Sequence, residues 1–300
     1  MLGTNKFFNM KKWGIGLCVA LSTFNGLAQS VDAGDDIFQC SGPVILNATV
    51  DGVTSSNNYT VEQLPAFAPE AIGGTGVTLG DDAVSASFPI GFSFCYYNNT
   101  YTNFWIGSNG WVSFSGGQPT SYVSASIPST ATNVPKNCIF GPWQDWHPGT
   151  GGQGPYIKYQ TIGVAPNRKL VVTFDQIPMF SCTSTKGKFQ IVLHETTNII
   201  ENHLWTKPSC GTWPGGNPNF SVQGIHNSNG TAAVTVPGRN SASWTANNES
   251  WRYTPAGSPP IVWTNQAGQQ VGTGPSITIN TPVSGDFTAT AAVCGGATYS

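Results

Sequence analysis

The sequence predicts an all-β protein built on an antiparallel β-sandwich. Charged residues make up only 9% of the chain, against about a quarter in ordinary globular proteins. Glycine, serine, threonine, asparagine and aromatic residues, which favour strands and turns, take their place. No stretch sustains the i, i+3, i+4, i+7 apolar pattern of an amphipathic helix. Many short strands separated by turn clusters favour a sandwich over a βαβ fold.

The N-terminus has the pattern of a secretory signal peptide. Three lysines precede the apolar stretch 13–28, which ends in small residues at Gly26 and Ala28. Polar residues interrupt this stretch, and it is too short for a transmembrane helix. We therefore expect residues 1–28 to be a signal peptide, cleaved after Ala28, and the exported chain to have no transmembrane segment.

The charge of the exported chain argues against nucleic acid as a partner. Cleavage would remove three of the 12 basic residues and none of the 14 acidic ones, which leaves a net charge of −5. A nucleic-acid partner would need a basic stripe on the protein surface. We therefore expect no nucleic-acid partner.

Six cysteines remain after the signal, and an even number in an exported chain predicts disulfides. Their spacing lacks any CxxC pair, which disfavours zinc. Six cysteines permit 15 pairings, and the sequence alone leaves all of them open. The disulfide candidates are Cys40, Cys95, Cys138, Cys182, Cys210 and Cys294.

The central part of the chain, residues 58–256, is expected to form the β-sandwich module. Its clearest element is TYTNFWIGSNGWVSF (100–114), where two aromatic β-forming runs flank Asn109-Gly110, a dipeptide suited to a type I′ hairpin turn. Trp105, Trp111 and Trp251 are expected to lie in the core. Further strands are predicted over 156–161, 168–174, 188–195, 199–205, 220–226 and 231–236.

Two flanking pieces, 29–57 and 257–300, are predicted to contribute immunoglobulin-like strands. The first alternates like two edge strands around a turn, and the second contains four strand patterns, with Trp263 placed like the core tryptophan of an immunoglobulin sandwich. Neither piece is large enough for a full sandwich. Either the tail is cut short at Ser300, or the two pieces are halves of one domain split by the central module, with Cys40 bridged to Cys294.

Several motifs resemble a known group of bacterial surface proteins. They are FPIGFSFCYYNNTYTNFWIGSNGWVSFS (88–115), IFGPWQDWHPGTGGQGPYIKYQT (139–161) and QIVLHETTNIIENHLW (190–205). Together they resemble the repetitive surface proteins of Bacteroidota that carry a gliding-motility-associated, type IX secretion sorting domain. The order of hairpin, acidic tryptophan loop and YIKYQT strand is also loosely similar to the nidogen-like extracellular module. The flanking pieces resemble PKD-like or immunoglobulin-like repeats of the same proteins.

The resemblance implies a non-enzymatic, adhesin-like protein that is secreted or held at the cell surface through a region beyond Ser300. Its ligand would be a glycan or a surface protein. The alternative is a carbohydrate-binding module of a secreted multidomain enzyme. The resemblance supplies no catalytic residue, and we predict none.

The reactive-looking motifs support the same interpretation. HETTN (194–198) lacks the second histidine of a zinc-protease HExxH helix and alternates like a strand, with Phe189, Ile191 and Leu193 on one side. No GxSxG nucleophile elbow occurs. The adjacent acids Asp81 and Asp82 follow a glycine turn and are predicted to lie in a solvated loop.

The ligand contact is predicted in WQDWHPGTGG (143–152). Pro148-Gly149 ends the strand there, so Asp145 is expected to cap the loop through backbone hydrogen bonds. Exposed tryptophan rings in glycine- and proline-rich surroundings could stack on sugar rings. The predicted contact residues are Trp143, Asp145, Trp146, His147 and Trp213.

No cofactor is predicted except a possible structural calcium ion. Asp32, Asp35 and Asp36 supply hard carboxylate oxygens at a domain junction, which suit that ion. The segment lacks a full calcium-binding loop such as that of the EF-hand.

Overall fold

The computed structural model describes residues 30–38, 41–52, 54–122, 125–150, 155–210, 220–280, 285–292, 294 and 298–299, and these residues contain no helix. The signal peptide predicted over 1–28, Cys40 and Trp213 lie outside the described residues. Within the described part, no helix is long and apolar enough to cross a membrane.

The strands are β1 (Ser30–Asp32), β2 (Val44–Asn47), β3 (Thr49–Asp51), β4 (Ser55–Gln63), β5 (Thr75–Val77), β6 (Phe88–Tyr96), β7 (Asn99–Gly107), β8 (Trp111–Ser113), β9 (Cys138–Trp143), β10 (Ile157–Ile162), β11 (Lys169–Met179), β12 (Cys182–His194), β13 (Ile200–Lys207), β14 (Phe220–His226), β15 (Ala233–Ser243), β16 (Ala246–Gly257), β17 (Ile261–Asn265), β18 (Gln270–Thr273), β19 (Ser276–Ile279), β20 (Phe287–Ala292) and β21 (Thr298–Tyr299).

Two antiparallel sheets form the central sandwich, which confirms the predicted fold class. One has seven strands in the order β4-β16-β13-β12-β11-β10-β5, and the other has six in the order β15-β14-β9-β8-β7-β6. Their facing side chains share one large apolar core. Phe189, Ile191 and Leu193 of β12 all enter it, as their alternation predicts.

The six-stranded sheet is buried on both faces around β8 and β9. Val112 and Ile139 face the main core, whereas Trp111, Cys138 and Phe140 belong to a second apolar cluster on the other face. Residues from the connection between β8 and β9 complete this second cluster. Both faces of these strands are therefore apolar, and no simple alternation marks them in the sequence.

The predicted hairpin is confirmed as β7 and β8, with Gly107 opposite Trp111. The predicted type I′ turn is wrong. The connection has three residues, and Gly110 has a positive φ of 89° while Asn109 does not. A type I′ turn needs a positive φ at both central residues. Glycine is required at 110 because a Cβ there would lie 2.5 Å from the Pro142 carbonyl oxygen.

The two flanking pieces pair with each other. β2 and β19 are antiparallel neighbours, with Leu46 opposite Ile277. Ala48 of the first piece and Trp263 of the second lie in one small apolar cluster, and Trp263 is 1% exposed. Its indole N–H donates to the Gly274 carbonyl at 2.9 Å. The second piece forms four strands, β17 to β20, before the short β21.

Two disulfides form, and one corrects the bridge considered from the sequence. Cys95 pairs with Cys294 and Cys182 pairs with Cys210, so a bond between Cys40 and Cys294 is wrong. Cys138 is a free, buried thiol that donates to the Lys136 carbonyl at 3.0 Å. Burial raises the pKa of the Cys138 thiol well above its usual range. Cys138 lies in the apolar cluster beneath the β8–β9 connection, and the bonded cysteines do not belong to that cluster.

Candidate functional site

The segment 143–150 crosses from one sheet of the sandwich to the other. Trp143 ends β9 in the six-stranded sheet. Three residues later, Trp146 forms a β-bridge with Met179 of β11 in the seven-stranded sheet. The Asp145 carbonyl accepts a backbone hydrogen bond from Phe180 at 3.1 Å. The segment is thus a structural corner as well as a loop.

Both tryptophans of the corner are fully buried, which corrects the expectation that their rings offer an exposed platform. Trp143 and Trp146 are each 0% exposed. The Trp143 indole donates to the Ser121 carbonyl at 3.1 Å, and the Trp146 indole donates to the Pro142 carbonyl at 2.9 Å. A ring without solvent access cannot stack on a sugar.

Glycine makes the burial of Trp146 possible. A Cβ at Gly187 would lie 2.3 Å from the Trp146 ring, so only glycine leaves room for the indole on β12. The opposite correction holds for Trp105, which was expected in the core but is only partly buried, whereas Trp251 is partly buried and packs against the main core. Trp111 is 0% exposed, as predicted.

The corner brings Asp145 beside Asp81 and Asp82. Carboxylate oxygens of the three acids all lie within 4.8 Å of one another. Asp145 is 6% exposed, and its carboxylate makes no hydrogen bond among the residues that the structure describes. The capping role of this carboxylate stays a prediction, because its loop continues into residues 151–154, which lie outside the described residues. Asp81 and Asp82 meet Asp145 and are therefore not simply a solvated loop.

Asn109 of the hairpin turn holds this acidic cluster together. Its buried side-chain amide donates to Asp82 at 2.6 Å and to the Thr120 carbonyl at 2.9 Å. Its side-chain oxygen accepts the Trp146 backbone N–H at 2.9 Å. One side chain therefore joins the turn that carries Asp82 to the corner that carries Asp145.

Backbone contacts fix the turn of Asp81 and Asp82 against the same hairpin. Ser108 donates its backbone N–H to the Ala83 carbonyl at 2.8 Å, and the Ala83 N–H donates to the Ser108 hydroxyl at 2.9 Å. Asp82 has a positive φ of 47°, a conformation that aspartate tolerates better than most residues. The two acids are thus placed by a defined turn.

Burial and mutual repulsion of the carboxylates dominate the electrostatics of the cluster. Burial, together with the neighbouring Asp81 and Asp82 carboxylates, raises the pKa of Asp145 to about 7. Burial also raises the pKa of Asp81, while the nearby His147 opposes that shift. The His147 ring lies against Phe180, with 5.6 Å between centroids.

The acids predicted to hold calcium do not come together in the same way. Asp32 accepts a hydrogen bond from the Gly34 backbone N–H at 2.9 Å, and Asp35 and Asp36 are exposed. Among the described residues, the three acids at the corner are the group of His, Cys, Asp or Glu side chains with metal-ligand spacing. Nothing in the sequence spacing links Asp145 to Asp81 and Asp82.

A second polar cluster surrounds Glu201 on β13. The Glu201 carboxylate lies 3.2 Å from His194 Nε2, 3.4 Å from His203 Nε2 and 2.7 Å from the Arg252 guanidinium. His203 Nδ1 in turn lies 2.7 Å from the Ser250 hydroxyl. Serine, histidine and glutamate thus follow one another as in a catalytic triad, yet Ser250 is 0% and His203 1% exposed.

Glu201→Gln is expected to lower the free energy of unfolding at neutral pH by about 1–2 kcal/mol. This figure is kept small because Arg252 is partly exposed, and solvent weakens its ion pair with Glu201. Burial alone would raise the pKa of Glu201, but His194, His203 and Arg252 bring it well below its usual range. The unfolded chain therefore binds more protons in acid. The stabilisation that the Glu201 carboxylate contributes is fully present above the ordinary glutamate pKa of 4.5. It is lost as the pH falls below that value.

Urea denaturation from neutral to acid pH measures this effect. Glu201→Gln should flatten the acid limb of the stability profile, whereas Asp286→Asn, which removes an exposed carboxylate, should leave it unchanged. An unaltered acid limb in Glu201→Gln would contradict the assignment.

Comparison with known proteins assigns the central part of the chain to a family. A family model described as "NIDO related" matches residues 58–265, which span β4 to β17 and include the acidic cluster. The match confirms the nidogen-like part of the resemblance seen in the motifs. Searches of the curated proteins and of the solved structures found no match. The central sandwich and most of this chain therefore belong to the NIDO-related, or nidogen-related, family.

Proposed function

We propose that this chain is a non-enzymatic, exported surface module that binds a glycan or a protein ligand as part of a longer adhesin-like protein. The observation that carries the proposal is a nidogen-related sandwich secured by two disulfides. Disulfides persist in oxidising, extracellular compartments. The motif resemblance supports a gliding-motility-associated protein with PKD-like flanks and type IX secretion.

The structural roles of the reactive-looking side chains support a non-enzymatic module. The Ser250–His203–Glu201 series is closed to solvent, and Arg252 neutralises the carboxylate. A nucleophile has to reach a substrate carbonyl within hydrogen-bonding range of its base. A hydroxyl with no exposed surface meets no substrate in this conformation.

The partly exposed tryptophans replace those of the corner as candidate ligand contacts. Trp205 on β13 is partly exposed. Lys188 Nζ lies 4.9 Å from its ring centroid, and Phe67 packs edge-on at 5.4 Å. Trp105 on β7 is also partly exposed. Lys188 lies over the Trp205 ring, so a sugar would stack on the indole surface that Lys188 and Phe67 leave exposed.

The alternative is a carbohydrate-binding module of a secreted multidomain enzyme, and the same tryptophan surfaces favour it. The two functions differ in what accompanies the module in the complete gene. Further repeats and a sorting domain favour adhesion, whereas a catalytic domain favours the alternative.

A glycan array and an array of extracellular proteins, probed with the purified chain, test the proposal. We expect binding to one ligand class, and for a glycan we expect Trp205→Ala or Trp105→Ala to weaken it about tenfold. Tyr122→Ala, which removes an aromatic ring that is 50% exposed in another loop, is the matched control. Failure to bind any ligand on both arrays, or turnover of a bound glycan, would overturn the proposal.

A further inference from the structure

We propose that the carboxylates of Asp81, Asp82 and Asp145 bind one calcium ion at the corner of the sandwich. Their oxygens lie within 4.8 Å of one another. Calcium–oxygen distances are about 2.3–2.6 Å, so two ligands of one ion lie at most about 5 Å apart. The three side chains therefore meet the spacing requirement together.

The burial of the unpartnered Asp145 carboxylate and of one unpartnered oxygen of Asp81 is the second observation that points to a cation. Asp145 is 6% exposed, and its carboxylate has no hydrogen-bond partner within the described residues. Asp81 Oδ1 is buried as well and likewise lacks a partner. None of the ion pairs between described residues includes Asp81, Asp82 or Asp145. A buried carboxylate is costly unless a cation or a hydrogen-bond donor compensates its charge.

The framework around the acids is already assembled for an ion. Asn109 uses its hydrogen bonds on Asp82, the Thr120 carbonyl and the Trp146 backbone, so it orients the cluster without filling it. Gly149 lets the corner approach the acidic turn, because a Cβ there would lie 3.2 Å from Gly80 Cα. An ion in this place would join two segments that are distant in the sequence.

The chemistry of the ligand set selects the metal. All three side chains offer hard carboxylate oxygens, and the group contains no cysteine or histidine. Such ligands suit calcium or magnesium in preference to zinc or copper. Calcium accepts six to eight ligands in flexible geometry, whereas magnesium demands a near-ideal octahedron. The acidic turn and the segment after β9 are irregular and meet at the corner, and such a ligand set suits the flexible coordination of calcium better than the strict octahedron of magnesium.

The ion would act as a brace between the two sheets. The acidic turn lies before β6, and Asp145 lies in the crossing from β9 to β10. Calcium would replace mutual repulsion of the acids by attraction and would tighten this end of the sandwich. The inference stands independently of the proposed ligand-binding function, because it concerns stability alone.

Calcium titration of the full chain after EDTA treatment tests the site. Isothermal titration calorimetry should show one calcium ion per chain. Millimolar calcium should raise Tm by about 5 °C relative to EDTA if the dissociation constant lies in the range of extracellular modules. Magnesium at the same concentration should give a smaller shift. No calcium binding and no shift in Tm would overturn the proposal.

Two variants separate this site from the acids near the N-terminus. Asp145→Asn preserves shape and removes one ligand charge, so it should abolish the calcium-dependent shift while being at least as stable as wild type in EDTA. The double variant Asp35→Asn, Asp36→Asn removes two exposed acids and should retain the shift. Retention of the shift in Asp145→Asn, or its loss only in the double variant, would overturn the assignment.

Asp82→Asn gives the same test at an exposed position, should the buried variant fold poorly. Terbium luminescence excited through tryptophan supplies a readout at the site itself, because Trp146 is the chain neighbour of Asp145. We expect calcium to displace bound terbium in wild type, and we expect no sensitised emission from Asp82→Asn. Equal emission from both proteins would contradict the site.

Discussion

Trp146→Ala is expected to destabilise the chain by about 3–5 kcal/mol, the cost typical of a large buried ring that leaves a cavity. The indole is 0% exposed, packs against Phe189 at 5.6 Å between centroids and occupies the space left by Gly187. Its removal also leaves the Pro142 carbonyl without its indole donor. Equilibrium urea denaturation, followed by far-ultraviolet circular dichroism, measures the loss.

Trp205→Ala is the matched control for this prediction. Trp205 is partly exposed, so its removal leaves no closed cavity and should cost less. Gly187→Ala approaches the same contact from the other side, since the added Cβ would overlap the Trp146 ring, and it should also destabilise. A loss of less than about 1 kcal/mol in Trp146→Ala would show that the corner is not part of the core.

Removal of the Cys95–Cys294 disulfide by a Cys95→Ser, Cys294→Ser double variant is expected to cost about 2–5 kcal/mol. This bond closes 199 residues, whereas Cys182–Cys210 closes 28. The chain-entropy model therefore predicts that the longer bridge stabilises by about 2 kcal/mol more than the shorter one. Chemical denaturation of the two double variants, each compared with wild type, measures the difference.

Hydrogen exchange locates the effect within the chain. Cys294 follows β20, so loss of its bond should reduce amide protection in β17 and β20, which pair with each other. The Cys182→Ser, Cys210→Ser variant should leave these strands protected, because its bond lies within the central module. Unchanged exchange in β17 and β20 after loss of Cys95–Cys294 would contradict this role.

Local patterns in the sequence are sufficient to predict some strands of the central module, although β4, β5, β6 and β16 were not assigned from them. β10, β12 and β13 lie where alternating β-forming runs predict them, and β14 coincides with the run 220–226. The side-chain alternation of a strand and the turn propensity of glycine, proline and asparagine depend on neighbouring residues alone. The hairpin was predictable for the same reason, although its turn type depended on Pro142 and Trp146 from other segments.

The candidate site could be predicted only in part. Asp145 was selected from its loop, but Asp81 and Asp82 were assigned to a solvated turn, and Asn109 was considered only as a turn residue. The glycine- and proline-rich surroundings of Trp143 and Trp146 indicated exposure, because such sequences usually lie at the surface. In this fold a glycine on another strand admits one of the rings, because Gly187 of β12 makes room for Trp146 within the sandwich.

The sequence by itself determined an all-β chain, several strands of a nidogen-related module and a cysteine content suited to disulfides. Only the tertiary structure decided that Cys294 bonds Cys95, that the corner tryptophans are buried and that Asp145 meets Asp81 and Asp82. Strand alternation and turn chemistry act between near neighbours in the chain. Disulfide pairing, cavity filling and carboxylate convergence instead depend on which distant strands the sandwich brings together.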